Sequence, residues 1–99
     1  MSKISLEVVT PQGLIVKEEN IDELVFRRKE RKFEIGSQIA VFPKHAPMLI
    51  RIPASPIWYY QQGQVSKIRV SAGFVEVKDE CVTILVPSAE QLFDKSLQD

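Results

Sequence analysis

VSAGFVEVKDECVTILVPSAE, residues 70–90, carries the reading that decides the fold. Val75 and Val77 alternate with Glu76 and Lys78, and after Asp79-Glu80 the alternation resumes with Val82, Ile84 and Val86 on one face and Thr83 on the other. Two period-two runs separated by two polar residues predict a tight β-hairpin. Its register is well determined, because a one-residue slip would turn Val82, Ile84 and Val86 out to solvent together. Cys81 falls at the turn, off the inward face. No acid and base accompany it in a catalytic triplet, so it reads as an inert thiol.

Outward from this hairpin the same period recurs. Ile4, Leu6 and Val8 show it, as do Ile39 and Val41, then Met48, Ile50 and Ile52, and finally Ile68 and Val70. Turn and breaker residues fall between the runs at Pro11-Gln12-Gly13, Pro43, Pro47, Pro53, Pro56 and Gln62-Gly63. Many short strands with frequent turns predict an all-β chain, a two-sheet sandwich or flattened barrel. No internal repeat or low-complexity segment interrupts it.

The chain has 99 residues, 44% of them hydrophobic, enough for one small domain with a single core. Thirteen acidic residues balance thirteen basic ones, so no global field favours nucleic acid or an acidic partner. The single cysteine excludes an internal disulfide and fits a reducing compartment. Met-Ser-Lys-Ile leads straight into alternating residues without an apolar leader, so the expected location is cytoplasmic. No apolar run approaches the ~18–20 residues that span a bilayer, so membrane association is expected to be indirect.

The tail changes character at Ser88. Ser88-Ala89-Glu90-Gln91 fits a capping box, in which the serine oxygen accepts the amide of Gln91 and the glutamine side chain reaches back. The expected division is a β-domain over residues 1–87 and a short helical or frayed tail over 88–99. Leu92, Phe93 and Leu97 would form its apolar stripe, but about ten residues fall short of the ~12–15 that give an isolated helix even marginal stability.

Three features are candidate sites. His45, the only histidine, stands between Pro43-Lys44 and Ala46-Pro47, a stiff extended platform that suits interface hydrogen bonding. One histidine and one distant cysteine supply no metal-ligand set, and no nucleophile is signalled, so neither metal, cofactor nor catalysis is expected. The run RRKERKFE, residues 27–34, has five basic and two acidic residues. It reads as a solvated loop or as a contact for acidic protein, lipid headgroups or phosphate, and charge does not choose among them. Trp58, Tyr59 and Tyr60 lie in one expected strand, so their rings alternate between faces and cannot share a stacking platform. A small β-barrel oligonucleotide-binding module using residues 27–32 and one of these rings is the alternative from another class.

With these segments in hand, the chain resembles the N-terminal domain of the ε subunit of F-type ATP synthases. Val8-Val9-Thr10-Pro11-Gln12-Gly13 resembles the family's V-x-[TS]-P-x-G turn, and Ile21-Asp22-Glu23-Leu24-Val25-Phe26 its acidic-hydrophobic strand. Ala40-Val41-Phe42-Pro43-Lys44-His45-Ala46-Pro47 stands where the family has G-I-L-P-N-H-A-P. Residues 70–90 match V-S-G-G-F-x-E-V-x-x-x-x-V-T-I-L-A-[DE]-x-A-E, the most specific segment.

The resemblance implies a two-sheet β-sandwich of about ten short strands. It also implies a non-catalytic rotor subunit that binds the γ subunit and the c-ring and couples ion translocation to ATP synthesis. Such a subunit is peripheral to the cytoplasmic face of the bacterial inner membrane, needs no cofactor and binds no nucleic acid. Thr10, His45 and Ser71 correspond to family positions facing γ, and Gln38 to one near the c-ring. Arg27, Arg28, Lys29, Arg31 and Lys32 fall in a stretch longer than the family's pattern, and are expected to contact acidic groups on the ring loops or neighbouring headgroups. Glycines of the family are replaced at Glu34, Ser37 and Ala40. Nine residues follow Glu90, too few for the family's C-terminal helix pair, so the extended brake on hydrolysis and the family's nucleotide site are expected to be missing.

Overall fold

The computed structural model describes residues 3–28 and 38–92. Ten strands form two five-stranded sheets that pack as an open sandwich and do not close into a barrel. In chain order they are β1 (Ile4–Thr10), β2 (Gly13–Ile21), β3 (Glu23–Arg27), β4 (Gln38–Val41), β5 (Met48–Ile52), β6 (Ser55–Gln61), β7 (Gln64–Val70), β8 (Gly73–Lys78), β9 (Cys81–Leu85) and β10 (Ala89–Leu92). The first sheet has the order β2-β1-β9-β8-β5 and the second β10-β7-β6-β3-β4. All pairs are antiparallel except β1 with β9.

The alternating residues build the core as expected. Ile4, Leu6 and Val8 of β1, Val75 and Val77 of β8, and Val82 and Ile84 of β9 are almost fully buried. Opposite them stand Leu24 and Phe26 of β3, Ile57 and Tyr59 of β6, and Ile68 and Val70 of β7. Met48, Ile50 and Ile39 are only partly covered, because β5 and β4 are edge strands.

Asp79-Glu80 makes the predicted hairpin turn, with Lys78 paired to Cys81. Both turn residues are left-handed, at φ 53° and 62°. That is the geometry of a type I′ turn, which matches strand twist but suits Asn-Gly far better than Asp-Glu. Replacing the pair by Asn-Gly is expected to stabilise the domain by about 1 kcal/mol, read as a higher urea midpoint with unchanged slope.

The capping-box helix does not form at Ser88. Its backbone is already committed: Ser88 N–H donates to Ser71 Oγ (2.9 Å), and Ser88 C=O accepts from Ser71 N–H (3.0 Å) and Ser71 Oγ–H (3.1 Å). This clip delivers Ala89 to Val70, and β10 zips along β7 as far as Leu92 opposite Lys67. Gln91 does not reach back to Ser88; its side-chain amide donates to the Tyr59 hydroxyl at 2.9 Å. Residues 93–99, including Phe93 and Leu97 of the expected stripe, lie outside the described residues.

The strands end on two rims. The first carries Pro11-Gln12, Pro53-Ala54, Ser71-Ala72 and Pro87-Ser88, since Thr10 pairs Gly13, Ile52 pairs Gly73 and Ser55 pairs Val70. The second carries residues 42–47, Gln62-Gly63 and Asp79-Glu80, since Met48 pairs Val77 and Gln61 pairs Gln64.

Candidate functional site

The outer face of the first sheet carries a row of side chains that strand alternation alone would have made polar. Leu14 pairs Val9, Val9 pairs Leu85, Leu85 pairs Phe74 and Phe74 pairs Arg51, so the row crosses all five strands. Leu14, Leu85 and Phe74 are exposed by 52%, 45% and 44%, far above a core residue. Ile15, the extra residue of a β-bulge between Val8 and Val9, widens the row and is itself exposed. The guanidinium of Arg51 lies 5.9 Å above the Phe74 ring and ends the row with a positive charge. The next row toward the second rim, Lys17, Glu7, Thr83, Glu76 and Leu49, is polar apart from its last member. Only the half of the face near the first rim is therefore apolar.

A groove opens beside this row, between Thr10-Pro11 and Gly73-Phe74, floored by Leu85 and Val86 and almost wholly apolar. Gly73 makes it possible. A Cβ built there would lie 2.2 Å from the Leu85 carbonyl oxygen and 2.7 Å from Val86 Cγ1, so β8 approaches β9 as only glycine allows. A contiguous exposed apolar strip next to a groove is the signature of a protein-docking face.

The site residues expected from sequence are distributed between the rims. Thr10 is buried, and its hydroxyl accepts the Gln12 amide at 3.1 Å, shaping the β1–β2 turn at the edge of the groove. Ser71 is the clip that holds Ser88, at the same rim. His45 sits at the opposite rim, about 17 Å away along β8 by strand rise. Its N–H donates to the Phe42 carbonyl at 3.2 Å, and Lys44 between them is left-handed at φ 68°, the arrangement of a type II turn with Pro43 leading. His45 Nδ1 lies 2.7 Å from the Ala46 carbonyl oxygen, an acceptor, so this contact is made by an Nδ1–H.

Arg27 and Gln38 face each other across β3 and β4 at the first rim, with Gln38 and Arg28 exposed. Lys29, Arg31 and Lys32 lie outside the described residues. Among the aromatic residues, Tyr59 is in the core, where burial pushes its phenol up, and Tyr60 is exposed. That split follows from strand alternation, and leaves Tyr60 as the exposed ring of the pair. Among the described residues no group of three His, Cys, Asp or Glu side chains is placed to hold a metal, and no helix is long and apolar enough to cross a membrane.

Sequence reasoning missed the outward row. Its signal was present as consecutive apolar residues, Val8-Val9, Phe74-Val75 and Ile84-Leu85-Val86, where alternation demands one apolar residue in two.

The second rim has its own fastening. Asp22 accepts from Lys3 Nζ at one carboxylate oxygen and from the Gln62 N–H (2.9 Å) at the other. The Lys3 hydrogen bond first, and the Gln62 amide second, hold the carboxyl below its ordinary range. A carboxyl lowered in the folded state stabilises above its unfolded pKa and loses that contribution as pH falls through the folded value. Stability is therefore expected to fall as pH drops through and below the ordinary aspartate range in the parent, and more shallowly in Asp22→Asn, measured by urea unfolding.

The family described as "ATP synthase, Delta/Epsilon chain, beta-sandwich domain" matches residues 3–92. An ATP synthase epsilon chain of Desulfitobacterium hafniense is 38% identical over 90 residues, covering 87% of this chain and 60% of the relative. One from Carboxydothermus hydrogenoformans is 36% identical over 89 residues, covering 90% and 61%. The chain thus spans about 60% of the length of these relatives. Among solved structures, a chain of the Euglena gracilis mitochondrial ATP synthase, OSCP/F1/c-ring in rotational state 1, superposes with a TM-score of 0.79 at 19% identity, over 98% of this chain and 59% of that one. A chain of the Tetrahymena thermophila mitochondrial ATP synthase, central stalk and c-ring, gives 0.69 at 16% identity, over 97% and 71%. At such identities the structural likeness establishes the sandwich, and the sequence relatives carry the rest: this chain belongs to the family of ATP synthase delta/epsilon chain β-sandwich domains.

Proposed function

We propose that this chain works without catalysis in the central stalk of an F-type ATP synthase, joining the γ subunit to the c-ring so that ion translocation turns γ. The apolar row from Leu14 to Phe74 carries the reading, because it supplies a docking face on a sheet whose inner side is already filled. The family membership, and neighbours from a structure of OSCP/F1/c-ring and one of a central stalk and c-ring, support the choice of assembly. A rotor element needs stiffness more than chemistry, and a sandwich whose core residues are nearly all fully buried has it.

In this reading γ covers the row and groove beside Thr10 and Ser71, and reaches along the molecule to the His45 side chain. Arg27, Arg28 and Gln38, with Lys29, Arg31 and Lys32 of the same basic run, lie on the c-ring side and meet acidic ring loops or headgroups. The subunit is then peripheral to the cytoplasmic face of the membrane, held there through the complex.

Affinity purification of the tagged chain from its own membranes tests this. Recovery of α, β, γ and c together is the expected result. Recovery of the chain alone, or with nucleic acid, overturns it.

A further inference from the structure

Among the described residues four strands lie at sheet edges: β2, β5, β4 and β10. An edge strand offers unpaired N–H and C=O groups to any passing chain, so folded proteins blunt it with charge, bulges or brevity. β2 has two register irregularities and the run Lys17-Glu18-Glu19. β10 and β4 are four residues each, and β10 carries Glu90. β5, Met-Leu-Ile-Arg-Ile, is the longest edge strand without a bulge: five paired residues with one charge, Arg51, near its end. Leu49 on it is exposed by 66%, more than any other large apolar side chain among the described residues.

We infer that β5 is a strand-addition site, and that the stalk partner, γ in the reading above, docks by laying an extended segment along it and continuing the first sheet. The inference rests on that reading and extends it from a face to a backbone edge. Three features fix the chemistry of the incoming segment. Pro47 and Pro53 bracket β5 and limit the new ladder to five residues. Partly covered Met48 and Ile50 on the inner side, and Leu49 on the outer, call for apolar residues at alternate positions on both faces. Arg51, exposed at the end of the apolar row, calls for a carboxylate beside it. A helix meets only the side-chain requirement, because its own backbone groups are used internally. The site is also continuous with the proposed docking face. Arg51 and Phe74 end the row at β5, and β5 runs from the His45 rim to the Ser71 rim, joining the separated residues into one footprint.

Amide hydrogen exchange on the chain, alone and bound to purified γ, reads this directly. Exchange in residues 48–52 is expected to slow at least tenfold on binding. Arg51→Glu is expected to weaken binding about tenfold and to reduce its salt dependence, with the circular dichroism spectrum unchanged. Binding that leaves exchange in residues 48–52 unaltered overturns the inference and spares the reading beneath it. Absence of γ binding removes both. Protection that appears with rising concentration of the chain alone, without γ, assigns the edge to a second copy and overturns the inference as well.

Discussion

Gly73→Ala is expected to cost the domain about 2–3 kcal/mol, the scale of an overpacked core substitution. The added methyl would sit 2.2 Å from the Leu85 carbonyl oxygen and 2.7 Å from Val86 Cγ1. The first of these is backbone, fixed by the pairing of Phe74 with Leu85 in the β8–β9 hairpin, so it has no rotamer to retreat into. β8 must lift from β9 at its first residue, next to the chain reversal that begins at Ser71. For a domain of this size the loss corresponds to a fall in Tm of roughly 10–20 °C. Thermal and urea unfolding both check it. A change below about 0.5 kcal/mol would mean that β8 enters the sheet at some other angle.

Leu85→Asp is the second large expectation, and it falls on assembly. Leu85 points outward from β9 and is 45% exposed, so a polar replacement removes little core and should alter folding stability by no more than about 0.5 kcal/mol. It stands at the middle of the five-strand row, with Val9 on one side and Phe74 on the other. A central desolvated anchor in such an interface contributes roughly 2 kcal/mol or more, and a buried unpaired carboxylate adds to the loss. Binding to γ is therefore expected to weaken about 30- to 100-fold, measured by titration of the purified subunits. Glu76→Gln, in the polar row, serves as the comparison and should change affinity by less than about threefold.

The core was legible because a period of two leaves little freedom. Once Val82, Ile84 and Val86 face inward, the hairpin fixes Val75 and Val77, and the turn at Asp79-Glu80 follows from the two residues left over. What alternation does not encode is the use of the opposite face. Phe74 and Leu85 read as faults in the pattern until the register sets them side by side with Leu14 and Val9. Ser88 shows the converse error. Its local sequence satisfies every requirement of a helix cap, yet Ser71, 17 positions earlier, takes both its backbone groups. A local signal worth about 1 kcal/mol yields to a two-strand ladder and a docked Gln91. The separation of His45 from Thr10 and Ser71 was likewise invisible, since it depends on which way β5 runs against β8.

The pairing of β1 with β9 has a consequence for how the domain is made. β1 leaves the ribosome well before its permanent neighbour, residues 81–85. Until those residues emerge, β1 can hold only its hairpin with β2, and a lone two-stranded ribbon is marginally stable in water. Closure over so long a stretch of sequence is slow by its nature. The sheet bearing Leu14, Leu85 and Phe74 is therefore completed only once residues 81–85 have emerged, and a nascent chain has no joined row of these side chains before then. The order in which the strands are born thus sets when that face first exists.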